Sequence, residues 1–379
     1  KLKNVLIMNL TNIRKITLVG DLHLGIKNNS VEWLQIQKDF LLDFLISEVD
    51  KDFDEDRDVL FLEGDIFHSR ESINVRIHDE ALTIFKKLSE KFKRGIYIII
   101  GNHDVYYKDS NQVNSVRHLK HLAENIHVFE SPEILTINDT ENWLMLPWVE
   151  DVKTLGNYVA DYVGMCKRIV CHADIKGLKF NRWTKVEHGL EITALSQYDR
   201  VYSGHIHHRQ EQGNILYTGT PYQMDRGDRG NTKGYYVIDA KDNFKETFVE
   251  NQVSPNYVKY DICELLDMNL DQLTGLLTNN FVDVMIEINL SNKIPISQFL
   301  MLLEQVKYRK VEFFTYTSDS SESTPAELSL DLSSSDKFDA FEIFKTYLNS
   351  KQYSQSMKKD LVTKFFEIQE RAKQEKDYA

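Results

Sequence analysis

The sequence predicts a layered α/β domain, followed by a smaller α/β unit and a helical tail. Apolar runs rich in β-branched or aromatic residues recur along the first part of the chain, and they are continuous rather than alternating. Such runs are typical of strands that are buried on both faces of a sheet. Segments with apolar residues at spacings of three and four lie between the first of these runs, which is typical of crossover helices.

The elements of this domain follow in order along the chain. Two helices are predicted at residues 31–49, with Trp33, Ile36 and Phe40 on one face, and at residues 76–92. The apolar runs predict strands at residues 15–23, 58–68, 96–104, 168–174 and 200–208.

Composition places the chain among ordinary globular proteins. The 379 residues are 42% hydrophobic, and the net charge of -12 decides little about partners, because carboxylates that hold metal ions offset their own charge. Three cysteines, an odd number, predict free thiols and a reducing compartment. No apolar run of about 18 uncharged residues is present, which excludes a membrane span. With no convincing signal peptide at the start, we predict a cytoplasmic protein.

Polar side chains with metal-binding chemistry follow each predicted strand, where open α/β sheets place their ligand sites. Imidazole and carboxylate together suit Mn, Fe or Zn. A carboxylate such as Asp65 is suited to bridge two ions, the arrangement used for displacement at phosphorus, so the pattern indicates a phosphoesterase. The candidates are Asp21, His23, Asp65, His68, Asn102, His103, His172, His205 and His207.

Each motif also has an ordinary structural reading when it is taken alone. The stretch "GDLH" is compatible with a turn that caps the next helix, and "GNHD" with a type I′ turn. Cys171 stands beside His172, but neighbouring side chains on a strand point to opposite faces, so buried packing is the better interpretation. The ordered recurrence of all five motifs, each after a strand, favours a functional site.

Together the motifs resemble the calcineurin-like metallophosphoesterase family over about residues 15–245. The match consists of D-x-H at Asp21 and His23, G-D at Asp65, G-N-H-D at residues 101–104, a lone His172, and G-H-x-H at residues 204–207. "GDLHLG", "GDIFH" and "GTPYQMDRGDRGNTKGYYVID" are similar to the SbcD branch, the nuclease subunits of DNA double-strand-break repair and their phage relatives. His68 stands where many family phosphatases carry a second Asp.

The resemblance implies a fold and a set of roles. The fold is a layered β-sandwich flanked by helices. His103 would be the proton donor for the leaving oxygen, His68 would orient phosphate, and Asp104 would either orient His103 or end the turn. Two Mn²⁺ ions, with Mg²⁺ as a substitute, would be held by Asp21, His23, Asp65 and His207 and by Asp65, Asn102, His172 and His205.

The implied function is a Mn-dependent DNA exo/endonuclease subunit that uses a two-metal mechanism on duplex ends, hairpins or single-stranded flaps. It would act with an SbcC-type SMC-like ATPase in recombination, repair or end processing, and it would be a homodimer. Two alternatives stay open: a small-molecule phosphatase or cyclic nucleotide phosphodiesterase, and a catalytically dormant scaffold.

Four segments follow from this interpretation. Residues 1–250 would form the nuclease domain, 251–317 a small α/β domain that caps the site or merely packs, 318–335 a Ser-rich flexible linker, and 336–379 a helical tail. The tail would bind the ATPase, although it could also fold back on the chain's own core. Residues 1–13 precede the first catalytic strand and are compatible with an added strand or an upstream start.

Cations near the strand ends would contact DNA phosphates without base readout, or would be solvated bystanders. These residues are Lys179, Arg182, Lys185, Arg226 and Arg229.

Overall fold

The computed structural model of the chain describes residues 6–180, 184–287, 296–316, 357–359 and 361–364. It divides into two compact units, Lys1–Tyr257 and Val258–Ala379. The predicted linker 318–335 and most of the predicted tail 336–379 lie outside the described residues. Of that tail, residues 357–359 and 361–364 are described, and they are helical.

The described strands of the first unit form two large sheets and one hairpin. In chain order the strands are β1 (Ile7–Leu10), β2 (Lys15–Val19), β3 (Asp58–Leu62), β4 (Ile96–Ile99), β5 (Val105–Tyr107), β6 (Ser110–Asn114), β7 (Ile126–Phe129), β8 (Glu133–Ile137), β9 (Glu141–Leu146), β10 (Arg168–His172), β11 (Arg200–Gly204), β12 (Gln210–Gln212), β13 (Ile215–Tyr217), β14 (Gly234–Asp239) and β15 (Lys245–Glu250). The seven-stranded sheet has the order β1-β8-β9-β10-β11-β13-β12, the six-stranded sheet has the order β15-β14-β2-β3-β4-β7, and β5 pairs with β6.

Helices connect the strands. Residues 31–50 form one unbroken helical run, so the predicted helix 31–49 is confirmed, with a π-helical segment in its middle. The described part of this unit also contains three short 3-10 helices, Arg117–His121, Ile192–Leu195 and Arg226–Asp228. The main helical segments are α1 (Ile26–Asn29), α2 (Val31–Lys38), the π-helix Asp39–Phe44, α3 (Leu45–Asp50), α4 (Val75–Lys91) and α5 (Val152–Asp161).

The predicted layered α/β fold is confirmed, because the two sheets share one hydrophobic core. Ile16 and Phe61 of the six-stranded sheet belong to the same buried cluster as Trp143 and Val170 of the seven-stranded sheet. A second buried cluster lies between the outer face of the seven-stranded sheet and α5, through residues such as Val159. Strands that are covered on both faces explain the continuous apolar runs of the sequence.

All five predicted strands are present, and they lie in parallel groups. β2, β3 and β4 pair in parallel in one sheet, and β10 and β11 pair in parallel in the other. Residues 7–10 are an added strand, since β1 pairs in parallel with β8. Between β4 and β7, β5 and β6 form an antiparallel hairpin before the 3-10 helix Arg117–His121.

The second unit is a small α/β unit, as the sequence indicates, with elements in the order strand, helix, strand, helix and strand and the first helix split in two. The elements are β16 (Tyr257–Asp261), α6 (Ile262–Leu266), α7 (Leu270–Leu277), β17 (Phe281–Glu287), α8 (Ile296–Leu303) and β18 (Lys310–Tyr316). Its sheet has the order β16-β17-β18, and a core that includes Leu273, Val284 and Phe299 holds it together.

The cysteine and membrane expectations can be compared directly with the structure. Cys166, Cys171 and Cys263 are free thiols, as predicted. Cys171 is buried in the core, and burial raises the pKa of its thiol to about 12, which agrees with packing rather than ligation. Within the described residues, the helices are too short or too polar to cross a bilayer.

Candidate active site

The predicted site residues stand at the ends of five strands and come together in the first unit. β2 leads to Asp21 and His23, β3 to Asp65, and β10 ends at His172. These four side chains are 0–1% exposed, although all are polar or ionisable. Buried polar groups need partners, so the burial itself indicates that these groups serve one another or a shared ligand.

The backbone is strained at three of the predicted site residues. His23, Asp65 and His205 have φ values of 50°, 49° and 86°, which residues other than glycine rarely adopt. Each lies in the turn directly after a strand. Strain of this kind persists only where the surrounding structure enforces it, and it is concentrated at functional sites.

Two glycines allow the strand ends to approach closely. A Cβ atom at Gly101 would lie 2.2 Å from Asp65 Oδ1, and one at Gly204 would lie 2.4 Å from the carbonyl oxygen of Glu63. Both contacts are far shorter than real Cβ contacts, so any larger residue would push the strand ends apart.

One group of side chains, here called the first cluster, consists of Asp21, His23, Asp65 and His207. Ligand atoms of Asp21, His23 and Asp65 lie within 4.8 Å of one another. His23 Nε2 is 3.0 Å from His207 Nε2 and 3.5 Å from Asp65 Oδ2. The cluster thus offers imidazole and carboxylate donors around one point.

A second group, here called the second cluster, consists of Asp65, Asn102, His172 and His205. Ligand atoms of Asp65, His172 and His205 lie within 4.8 Å of one another. Asn102 Oδ1 is 2.9 Å from His172 Nε2 and 2.8 Å from His205 Nδ1. His172 Nε2 is also 3.4 Å from Asp65 Oδ1, so the two clusters share Asp65.

A pair of stacked imidazoles adjoins the first cluster. The rings of His68 and His103 are nearly parallel, with centroids 5.4 Å apart, and His68 Nδ1 is 3.2 Å from His23 Nδ1. His103 Nδ1 donates a hydrogen bond of 2.6 Å to the carbonyl oxygen of His68. Both rings are half-buried, which leaves them open to a substrate.

Asp104 is buried and binds backbone. Its carboxylate accepts hydrogen bonds from the N–H groups of Gly101 at 3.0 Å, Phe67 at 3.1 Å and Ile66 at 3.3 Å. These bonds tie the turn after β3 to the turn after β4, so any effect of Asp104 on His103 passes through the loop. Burial and the neighbouring Asp65 raise the pKa of Asp104 to about 7.

The electrostatics of the site suit a bound cation. Burial lowers the pKa of His23 and of His207, and neutral imidazole is the form that ligates metal ions. Burial opposes ionisation of Asp65, yet His172 and His23 hold the pKa of its carboxyl far below its usual range. Asp21 Oδ2 is buried without a hydrogen-bond partner among the described residues. A divalent cation would satisfy this orphaned oxygen.

Several supporting residues were not identified from the sequence. Buried Gln37 donates to the carbonyl oxygens of Leu22 and His23, at 2.8 and 3.0 Å, and so anchors the turn after β2. Asp174 lies 2.9 Å from His205 Nε2. Gln37 was detectable from the sequence as a polar residue on the apolar face of a predicted helix, whereas no sequence pattern pointed to Asp174.

Two lysines near the clusters were also missed. Lys233 is buried, pairs with Asp228 at 2.6 Å and donates to the carbonyl oxygen of His207. Lys27 is exposed and belongs to α1, which contains left-handed residues. The pKa of His68 is lowered mainly by burial and by two neighbouring histidines, and the charge of Lys27 lowers it further.

The predicted DNA-contacting cations are placed only in part. Lys179 and Lys185 are exposed and face each other across a β-bridge, whereas Arg182 lies outside the described residues. Burial, Lys233 and Lys179 together lower the pKa of His208, which places Lys179 near the residue that follows His207. Arg226 and Arg229 are half-buried in and beside the 3-10 helix Arg226–Asp228.

No protein-family model matches the chain. The chain is 28% identical to exonuclease subunit 1 of Enterobacteria phage T4 over 246 residues, which covers 63% of this chain and 68% of that protein. This likeness supports the predicted resemblance to SbcD-like metallophosphoesterases.

A second relative agrees with this SbcD-like character. The chain is 27% identical over 225 residues to a protein of Invertebrate iridescent virus 6 that carries the name phosphoesterase 244L, which covers 56% of this chain and 72% of that protein. The predicted enzyme class, a phosphodiesterase of the nuclease type, is confirmed. The same likeness implies that the enzyme uses divalent metal ions, and the two clusters are candidate ligand sets for them.

Proposed function

We propose that the chain is a Mn-dependent DNA exo/endonuclease subunit that hydrolyses phosphodiesters by a two-metal mechanism. The observation that carries this proposal is the pair of ligand clusters that share Asp65, with the imidazoles of His103 and His68 beside them. One bridging carboxylate between two sets of N and O donors is the arrangement that supports in-line displacement at phosphorus.

In this proposal Asp21, His23, Asp65 and His207 hold one ion, and Asp65, Asn102, His172 and His205 hold the other. When bound, the ions would stabilise charge on the phosphoryl oxygens and lower the pKa of water, which produces a nucleophile near neutral pH. The two clusters are fixed by strained turns and buried hydrogen bonds, so little reorganisation is needed when substrate binds.

His103 is proposed as the proton donor to the leaving oxygen. Its Nδ1 already donates to the His68 carbonyl, so the proton available for transfer is the one on Nε2 of the imidazolium. His68 stacks on this ring and limits its rotation, while Asp104 fixes the loop that carries it. A positioned general acid contributes about 10²–10⁴-fold to a rate.

The wider assembly is part of the same proposal. The T4 relative is named as a subunit of an exonuclease, which supports DNA as the substrate and a partner subunit. We assign the partner to an SbcC-type SMC-like ATPase bound by residues 336–379, the capping role to residues 251–317, and phosphate contact to Lys179, Arg182, Lys185, Arg226 and Arg229. Homodimerisation completes the proposal.

The test is cleavage of end-labelled linear duplex DNA by the purified chain with Mn²⁺, with Mg²⁺ and with chelator. His103→Ala is expected to bind Mn²⁺ normally but to cleave about 10²–10⁴-fold more slowly, since a general acid is lost without loss of a ligand. The matched control is His121→Ala, because His121 is exposed and lies in the 3-10 helix Arg117–His121.

Wild-type activity in His103→Ala would contradict the role given to that residue. Failure to cleave DNA in any metal, together with Mn²⁺-dependent hydrolysis of nucleotide esters, would instead favour the small-molecule phosphatase. Inactivity on both substrates despite tight Mn²⁺ binding would indicate that cleavage needs the partner subunit, and adding the ATPase would then restore it.

A further inference from the structure

Asp174 stands at the edge of the second cluster, two residues after His172. Its Oδ1 atom lies 2.9 Å from His205 Nε2, the ring nitrogen that points away from the cluster. The other nitrogen of that ring, Nδ1, lies 2.8 Å from Asn102 Oδ1 inside the cluster. Asp174 therefore contacts the candidate ligand His205 on the side of the ring that faces away from the cluster.

The contact defines which nitrogen of His205 carries the proton. An ionised carboxylate only accepts hydrogen bonds, so a neutral His205 that pairs with Asp174 carries its proton on Nε2. The lone pair is then on Nδ1 and faces Asn102 Oδ1. Two acceptors that face each other at 2.8 Å repel unless a cation lies close to both.

His172 has the same arrangement with a different partner. Its Nδ1 donates to the carbonyl oxygen of Glu63 at 2.7 Å, and its Nε2 lies 2.9 Å from the same Asn102 oxygen. In the neutral form that binds metal ions, both histidines of the second cluster thus donate outwards to an oxygen and direct a lone pair inwards. The recurrence on two strands indicates that the Asp174 contact serves the cluster.

The backbone around Asp174 is firmly held. The Tyr217 hydroxyl donates to the carbonyl oxygen of Ala173 at 2.7 Å and accepts from the N–H of Ile175 at 3.0 Å. Leu190 N–H donates to the carbonyl oxygen of Asp174 at 2.9 Å. Gly189 packs so closely that a Cβ atom there would lie 2.4 Å from the same carbonyl oxygen. The carboxylate is therefore presented from a fixed position.

We propose that Asp174 is a positioning residue of the second cluster, which holds His205 in the tautomer and orientation that ligate a divalent cation through Nδ1. The inference rests on the proposed function only for the assignment of the second cluster as a metal site. Hydrogen bonds of this kind raise the basicity of a ligating imidazole, and their loss lowers metal affinity by about 10–100-fold.

The size of the effect depends on solvent. The Asp174 side chain is 36% exposed, whereas that of His205 is 13% exposed, so water can replace part of the hydrogen bond when the carboxylate is removed. The indole ring of Trp148 packs on His205 with centroids 5.0 Å apart and limits ring rotation. We therefore expect an effect near the lower end of that range.

The experiment is calorimetric titration of the full chain with MnCl₂ alone, for the wild type, Asp174→Ala and Asp174→Asn. Asp174→Ala is expected to weaken one of two Mn²⁺ binding events by about 10-fold and to leave the other unchanged. Asp174→Asn keeps an acceptor oxygen, so its Mn²⁺ affinity is expected to lie between those of the wild type and Asp174→Ala. The matched control is Glu187→Ala, an exposed carboxylate in the loop that closes over Asp174.

A second readout reports the tautomer directly. Two-bond ¹H–¹⁵N spectra of the Mg²⁺-loaded protein, assigned by difference from His205→Gln, are expected to show His205 protonated on Nε2 in the wild type. Asp174→Asn should retain that signal, because its amide oxygen still accepts. This variant also keeps the test decisive if Asp174→Ala does not fold, which circular dichroism in chelator would show.

Mn²⁺ binding by Asp174→Ala and Asp174→Asn within twofold of the wild type, or a His205 protonated on Nδ1, would overturn the inference. The outcome is separable from the proposed function. Wild-type protein that binds Mn²⁺ and hydrolyses nucleotide esters but not DNA, while Asp174→Ala still binds Mn²⁺ more weakly, would overturn the nuclease and support the role of Asp174. DNA cleavage by wild-type protein together with unchanged Mn²⁺ binding in both variants would overturn only the role of Asp174.

Discussion

The two ligand clusters share Asp65 but are supported in different ways. Contacts behind the first cluster go to the backbone, since Gln37 binds the carbonyl oxygen of His23 and Lys233 binds that of His207. Contacts behind the second cluster go to the imidazole rings, since His172 donates to Glu63 and His205 faces Asp174. The first arrangement fixes where a ligand stands, and the second also fixes which ring nitrogen is free to bind.

The clusters also differ in the exposure of the groups behind their ligands. Each cluster has one fully buried and one half-buried imidazole, so the histidine ligands themselves are alike in burial. The groups that support the half-buried rings are not alike, since Lys233 behind His207 is 5% exposed and the Asp174 side chain behind His205 is 36% exposed. Because water competes with ligands at an exposed site, we expect the first cluster to hold its ion more tightly.

The largest effect is expected from the residue that the clusters share. Asp65→Ala removes a carboxylate that supplies ligand atoms to both clusters. We expect loss of both Mn²⁺ binding events and of all measurable cleavage. Calorimetry and metal analysis of the purified variant would check this, with exposed Asp161→Ala as the control.

A variant Asp65→Ala that still bound one Mn²⁺ ion with wild-type affinity would contradict the shared ligand. The two clusters would then be neighbouring but independent metal sites.

A matched pair of variants separates the clusters. His207→Ala removes a donor from the first cluster alone, and His205→Ala removes one from the second alone. Each is expected to lose one Mn²⁺ binding event and retain the other, with the tighter event lost in His207→Ala. Equal loss of both events in either variant, measured by the same titration, would show that the two ions bind as one unit.

Much of this site was predictable because its signals are local. A buried strand requires a continuous apolar run, and β4 is such a run, followed within three residues by Asn102. Parallel strands bring their carboxyl ends to one edge, so side chains that follow β2, β3 and β4 meet without further information. The same reasoning extends to His172 and His205 in the facing sheet.

The supporting residues were not predictable because their partners are distant in sequence. Gln37 and Tyr222 are hydrogen-bonded across 185 positions, and Asp174 and His205 across 31. Local patterns also do not identify the hairpin of β5 and β6, where exposed Tyr106 and Tyr107 suit a strand as well as the start of a helix. Pairing of this kind is decided by tertiary contacts.

The smallest expected effect concerns Glu63, which contacts His172 of the second cluster and interacts electrostatically with Asp21 of the first. Its carbonyl oxygen accepts from His172, and its fully buried carboxyl accepts from Thr218 and senses the charge of Asp21. Burial raises the pKa of this carboxyl to about 8, whereas it is about 4.3 in an unfolded chain. The native state therefore binds one more proton than the unfolded state between these values, so stability contributed by Glu63 falls as pH rises.

Glu63→Gln is expected to remove that dependence, because the amide is neutral at every pH. In chelator, the free energy of unfolding of the wild type should fall with rising pH more steeply than that of Glu63→Gln, by about 1.4 kcal/mol per pH unit between pH 5.5 and 7.5. Urea denaturation at three pH values would measure both slopes, and Asp104 contributes equally to each. Parallel slopes in chelator would show that Glu63 is ionised in the native state without a divalent cation, which would contradict the raised pKa of this carboxyl.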